Sequence, residues 1–297
     1  VMREIQRGSW IAIASLAAAL AACGRGPQAV VPAADPVRIV AMAPSLTETL
    51  LALDLGDRIV GSTRYCPPVP GAVSIGGYFD PSYEAILALE PDLVIVMQSH
   101  DELNRRLGDL GLSTLRVDQH DVEGILTSIE VIAERCGVRQ RGLDLTSSLR
   151  AELGDVAAKV ADRDRPTTLV VVGRQPGGGR IGSLWAAAGD TFYDDVLELA
   201  GGVNAVTSGG IRYPEFSREG LLAVDPDVIL DVLADGGVRD VTAAEAAADW
   251  NAASDLRAVR EGRVHILMEE FVVIPGPRIV ETVRTVARLL HPEVEWP

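Results

Sequence analysis

Residues 82–96 read SYEAILALEPDLVIV, and residues 217–231 read SREGLLAVDPDVILD. The two stretches align without a gap at a constant offset of 135 residues. Each opens on Ser-x-Glu, runs through an apolar helical turn, breaks at an acidic residue followed by Pro-Asp, and ends in an apolar run. Pro91 and Pro226 interrupt the helical pattern, so the apolar run that follows each is a strand. A helix-to-strand unit present once in each half predicts two lobes of similar α/β fold.

The neighbouring segments extend that grammar. RIVAM (38–42), RIVGS (58–62), DLVIVM (92–97) and STLRV (113–117) are strands of the first half, with helices in SLTETLLALDLG and ELNRRLGDLG between them. TLVVVG (168–173), DVILDV (227–232) and RVHILM (263–268) repeat the style in the second half. Strands separated by helices predict parallel sheets. Between the halves, Arg139 to Asp164 is polar and uninterrupted, with Leu145, Leu149, Leu153, Val156 and Val160 at helical spacing and Pro166 beyond its end. The expected fold class is therefore α/β: two Rossmann-like lobes with parallel sheets joined by one long connecting α-helix. The N-terminal lobe covers 37–138, the connecting helix 139–165 and the C-terminal lobe 166–297. A helix packed on both lobes acts as a stiff spine and limits hinge motion.

The chain has 297 residues and a net charge of −15, from 27 basic and 42 acidic side chains. That balance, without a basic run, excludes a nucleic-acid reader, and 47% hydrophobic residues exclude dominant disorder. At the start, Arg3 and Arg7 precede an apolar stretch from Trp10 to Ala22 that is shorter than the about 20 residues a membrane span needs. It suits a secretory signal over residues 1–22. Leu20-Ala21-Ala22-Cys23 resembles a bacterial lipobox, which implies lipidation of Cys23 and a lipidated tether over 23–36, GRGPQAVVPAADP after the cysteine. The signal carries two arginines and one glutamate, so the exported body would hold −16. Such a body repels anionic lipid, and membrane attachment falls to the acyl chains. Export also places Cys66 and Cys136 in an oxidising compartment, where they could pair.

With that signal in front, PSLTETLLALDLGDRIVGSTRYCPPVP, GGYFDPSYEAILALEPDLVIV, FYDDVLELAGGVNAV and YPEFSREGLLAVDPDVIL follow in order. Together they resemble the helical-backbone class of ABC-transporter solute-binding proteins, which capture cobalamin, haem or ferric siderophores. RYCPPVP, GGYFDP and RYPEFSRE lean toward the cobalamin-binding members. The resemblance implies a periplasmic or outer-surface protein, monomeric, with no cofactor of its own and no resident metal. It implies a corrinoid or iron-chelate ligand held between the lobes and an ABC-importer permease dimer as partner. Tyr65, Tyr78 and Tyr213 match positions that lay aromatic faces on the corrin ring. Two of the three are tryptophan in the cobalamin-binding relative, and Met97 likewise replaces an aromatic residue, which reduces flat stacking area. Trp185 and Phe271 are further candidates at the cleft rim.

Glu84 and Glu219 follow from the resemblance and from local physics. Ser82 and Ser217 are expected N-caps, which puts each glutamate in a first helical turn where the helix dipole favours a carboxylate. In the family this pair docks onto permease arginines, contacts that orient as well as bind.

Other classes fare worse. His100, His120, His265 and His291 are scattered and do not converge with carboxylates as a direct metal-ion receptor requires. His100, after a strand end, is a candidate axial ligand for haem iron with Tyr65 opposite. Gly177 to Gly179 form a flexible loop without a phosphate-binding signature. Arg174 and Arg180 beside it are candidates for ligand carboxylates or phosphate, or for solvated positions. There is no GxSxG, HExxH or CxxC, and no histidine is placed to join Ser45 and Asp92 in a triad. A binding protein, not an enzyme, is expected.

Overall fold

A computed structural model describes residues 38–207, 209–234 and 241–296. The signal, the tether and Cys23 lie outside these residues. In chain order the first sheet region comprises β1 (Ile39–Ala41), α1 (Pro44–Ala52), β2 (Ile59–Ser62), β3 (Val73–Ser74), α2 (Tyr83–Ala88), β4 (Leu93–Met97), α3 (Asp101–Asp109), β5 (Thr114–Val117) and α4 (Val122–Arg135). The long helix α5 (Arg139–Val160) follows. The second region comprises β6 (Thr167–Arg174), β7 (Leu184–Ala186), α6 (Phe192–Leu199), β8 (Val203–Asn204), β9 (Glu215–Phe216), α7 (Arg218–Val224), β10 (Val228–Val232), α8 (Ala243–Asp249), α9 (Arg257–Arg260), β11 (Val264–Leu267) and α10 (Ile279–Leu290).

The first sheet has the order β3-β2-β1-β4-β5 with every pair parallel. The order reverses between β1 and β4, and ligands of such sheets bind beyond the carboxyl ends of the strands at that switch. The second sheet runs β11-β10-β6-β7-β9, with β8 paired to β6. It is mixed and not parallel, which corrects the expectation for this lobe. The loop after Arg174 contains no helix, so β7 returns antiparallel to β6 and then pairs antiparallel with β9.

The sequence echo is an echo of backbone. Ser82 caps α2 by accepting the Ala85 N–H, and Ser217 caps α7 by accepting the Gly220 N–H. Both helices then close on a left-handed non-glycine residue, Glu90 at φ 44° and Asp225 at φ 37°. The residue before proline is barred from the right-handed helical region, and these two turn the chain toward the strand instead. Asp92 accepts the Arg38 N–H at 2.9 Å, and Asp227 accepts the Thr167 N–H at the same distance. Each aspartate thus staples its strand to the one beside it.

One apolar cluster runs through both sheets. It includes Ile39, Leu93 and Ile95 of the first, Val170, Val228 and Leu230 of the second, and Leu149, Leu153 and Val156 of α5 between them. Three polar ties add to it. Glu48 of α1 receives Arg278 at the start of α10 at 2.5 Å, Asp195 of α6 accepts the Val122 N–H of α4 at 2.8 Å, and Arg284 of α10 meets Glu152 of α5 at 2.8 Å. The helix α5 thus packs on both lobes. Among the described residues no helix is long and apolar enough to cross a membrane.

Candidate functional site

The carboxyl ends of the first sheet carry the first group of candidate residues. Met97 is the last residue of β4, Tyr65 lies just beyond β2, and Tyr78 lies beyond β3. Met97, Tyr78 and, from the other lobe, Phe271 are half-buried against the shared apolar cluster. Tyr65 is 56% exposed.

Tyr78 sits at the tip of a tight reversal, Gly76 to Pro81, closed by a bridge between those two residues and by a Gly77 N–H to Asp80 carbonyl bond. Gly76 has φ 93° and a Cβ there would stand 2.7 Å from the Asp80 carbonyl, so the turn requires glycine. The Tyr78 ring stacks on His100 at 4.9 Å, and its hydroxyl shares a hydrogen bond with Ser99. Burial pushes that hydroxyl above the usual phenol range against the Ser99 bond, so Tyr78 is neutral at physiological pH. Phe79, the next residue, meets both rings edge-on, at 4.9 and 5.8 Å, yet is 83% exposed. The string GGYFDP points to this turn, but Phe79 is missed in the sequence because an aromatic pair on a turn gives no sign of which ring faces inward.

Phe271 is held from three sides. Its carbonyl accepts the Thr282 hydroxyl at 3.1 Å, the next carbonyl, of Val272, accepts the buried Tyr193 hydroxyl at 2.8 Å, and the Arg278 guanidinium lies 5.6 Å from its ring centre. Arg278 also closes one side of a groove of about 880 Å³ that runs between the lobes from Tyr65 past Glu48 and Leu51 to Leu145 and Val273. A volume of that order accommodates a drug-sized molecule.

The remaining positions behave differently. Tyr213 precedes β9 and is 44% exposed, with desolvation raising its hydroxyl above the phenol range. Trp185 of β7 is exposed and faces Gly173 across the β6–β7 pair. Neither belongs to the half-buried set around Tyr78, Met97 and Phe271. His100 has a buried Nδ1 without a hydrogen-bond partner among the described residues.

Glu84 and Glu219 are both exposed in first helical turns. The backbone and the Ser217 hydroxyl, donating at 2.8 Å, hold the Glu219 carboxyl below the usual range. Arg174 is not a surface cation for ligand carboxylates. It is buried and donates to Asp231 and Asp249 at 2.7 Å each and to the Ala246 carbonyl at 2.9 Å. Asp249 in turn accepts the N–H groups of Gly177 and Gly179, so the glycine loop is tied down. Asp231 also accepts the Trp250 indole N–H. Arg180 is exposed. Cys66 and Cys136 are not joined in a disulfide: Cys66 lies past the carboxyl end of β2, and Cys136 is buried at the foot of α4. Ser45 donates to Gln119 and lies past the carboxyl end of β1, whereas Asp92 precedes β4, so the two do not meet.

Two α/β sheets pack on a continuous helix, with aromatic side chains beyond the carboxyl ends of the first sheet. Residues 39–270 match the model of the periplasmic binding protein family, and the chain belongs to that family. It is 27% identical over 270 residues to the uncharacterized ABC transporter substrate-binding lipoprotein YvrC of Bacillus subtilis, covering 87% of this chain and 81% of that one. A cobalamin-binding protein of Halobacterium salinarum is 27% identical over 86% of this chain and 70% of its own. A periplasmic heme binding protein from Pseudomonas aeruginosa superposes with a TM-score of 0.74 at 25% identity, over 88% of this chain and 94% of that one. The protein is thus a solute-binding component of the ABC-importer kind and not an enzyme.

Proposed function

We propose that the protein captures a corrinoid of the cobalamin type between its lobes and delivers it to the permease dimer of an ABC importer. The observation that carries this reading is that Tyr65, Tyr78 and Met97 all follow or end strands at the carboxyl edge of the first sheet, with the exposed Phe79 next to Tyr78. A flat macrocycle with a polar periphery needs broad apolar faces with polar tips, which Tyr65 and Tyr78 supply. Phe271, Tyr213 and Trp185 are the contributions of the second lobe. Glu84 and Glu219 are the permease contacts, supported by two exposed carboxylates on helices capped in the same way. Cys23 is the lipid attachment, supported by the lipobox string and by the lipoprotein of similar sequence. The protein acts as an extracytoplasmic monomer.

Haem or a ferric siderophore is the second reading. His100 favours haem, because its unpartnered Nδ1 lies beside the Tyr78 ring.

Titration of the full chain with cyanocobalamin, haemin and ferrichrome, read by calorimetry and by quenching of aromatic emission, separates these. Cyanocobalamin is expected to bind, and Tyr65→Ala and Tyr78→Ala to weaken it. Haemin binding with a Soret band lost in His100→Ala supports the second reading and overturns the first. Glu84→Ala and Glu219→Ala should keep ligand affinity while stimulation of permease ATPase falls; loss of affinity would place them in the cleft.

A further inference from the structure

Tyr65 and Tyr78 stand on separate loops, and one arginine touches both. Arg64 Nη2 lies 2.8 Å from each carboxylate oxygen of Asp80, the residue that closes the Tyr78–Phe79 reversal. The same guanidinium lies 5.2 Å from the centre of the Tyr65 ring. The Arg64 N–H also donates to the Gly76 carbonyl at 2.8 Å, at the other foot of the reversal.

Gly77 leaves the room that this arrangement occupies. Its φ is not among the positive ones, so its backbone would accept any residue. A Cβ there would nevertheless collide with Asp80 Oδ1 and stand 2.6 Å from Arg64 Nη2. The space a side chain would fill is taken by the ion pair. The pair itself is exposed, 48% for Arg64 and 64% for Asp80, and such pairs add little to global stability.

We infer that Arg64 and Asp80 are positioning residues for the ligand: they clamp the Tyr65 loop to the Tyr78–Phe79 reversal so that the aromatic faces form one preformed surface. This rests on the binding role proposed above for Tyr65 and Tyr78. An exposed ion pair that fixes two loops contributes through preorganisation, which lowers the ordering cost of binding without raising the stability of the fold. Each partner holds the other ionised. The Arg64 guanidinium keeps the Asp80 carboxyl below the usual range, and Asp80 raises Arg64 further above its own.

The test uses the full chain, with cyanocobalamin, haemin and ferrichrome as probes, and reads affinity, rates and Tm together. Arg64→Ala and Gly77→Ala should each weaken the probe that wild type binds by about tenfold, mainly through slower association, as the loops must order during binding. Tm should move by no more than about 3 °C. The charge swap R64D/D80R should recover most of the affinity. Arg64→Ala within twofold of wild type, alongside clear losses in Tyr65→Ala and Tyr78→Ala, overturns the clamp and leaves the site standing. Wild-type affinity in both tyrosine variants overturns the site and the clamp with it. Lost affinity that tracks a large fall in Tm and is not recovered by the swap reduces the pair to a structural contact and also overturns the inference.

Discussion

Segments 82–96 and 217–231 share a backbone and part company in their side chains. Both have a serine cap, a left-handed acidic residue before proline and an aspartate that staples two strands. At the last aligned position the first lobe has Val96 and the second has Asp231, each buried in the middle of its sheet. Val96 packs in an apolar cluster with Val40, Met42 and Leu103. Asp231 instead receives Arg174 and Trp250 and, through Arg174, is linked to Asp249 and the glycine loop. Burial raises the Asp231 carboxyl above the usual range despite Arg174, whereas Asp249, against its own desolvation, is held below it by Arg174 and two backbone N–H groups. The lesson is that local punctuation sets the backbone unit, while the lobe around it decides what the same position does.

The comparison breaks hardest at that network. Arg174→Ala leaves two buried carboxylates without their cation and should destabilise the protein by about 3–5 kcal/mol in urea unfolding. A loss below about 1 kcal/mol would show that the network is ornamental and the two lobes energetically alike.

A smaller effect is expected at the Asp227 staple. Asp227→Ala strips the Thr167 N–H and hydroxyl and the Arg257 guanidinium and should cost about 2 kcal/mol. The Thr167 hydrogen bonds and Arg257 lower the Asp227 carboxyl in the folded state despite its desolvation. Its contribution is therefore present above the unfolded carboxylate pKa and is lost as pH falls through the lower folded value. Acid unfolding of Asp227→Ala should be correspondingly less steep; an acid limb as steep as wild type would contradict this role.

The mildest effect concerns His265 on β11, whose imidazole is depressed from 6.5 by burial and by Arg263. The unfolded chain binds that proton more readily, so stability rises with pH across the window just below 6.5. His265→Gln should flatten Tm in that window and leave it unchanged above pH 7.5. A flattening of the same size from a histidine of the first lobe would contradict the assignment to β11.

Much of the fold is legible in the amino-acid sequence. Seven of the eleven described strands, the spine from Arg139 and the two serine caps follow from periodicity, proline and capping chemistry, which act within a few residues; the short β3, β7, β8 and β9 do not. The antiparallel return of β7 is not legible there, because a loop without a helix announces its length but not its partner. A ligand-facing role for Arg174 fails for a related reason: an arginine beside a glycine loop looks solvent-facing until Asp231 and Asp249 arrive from distant parts of the chain.

The sequence by itself determined two α/β lobes, the helix between them and the family, since these rest on local patterns and on motifs in order. Only the tertiary structure decided that Tyr78 turns inward while Phe79 turns out, that Glu48 meets Arg278 across the lobes, and that Arg64 reaches Asp80. Those contacts join residues far apart in the chain or rings adjacent on one turn, and burial and charge pairing select among them only once the sheets have brought their carboxyl ends together.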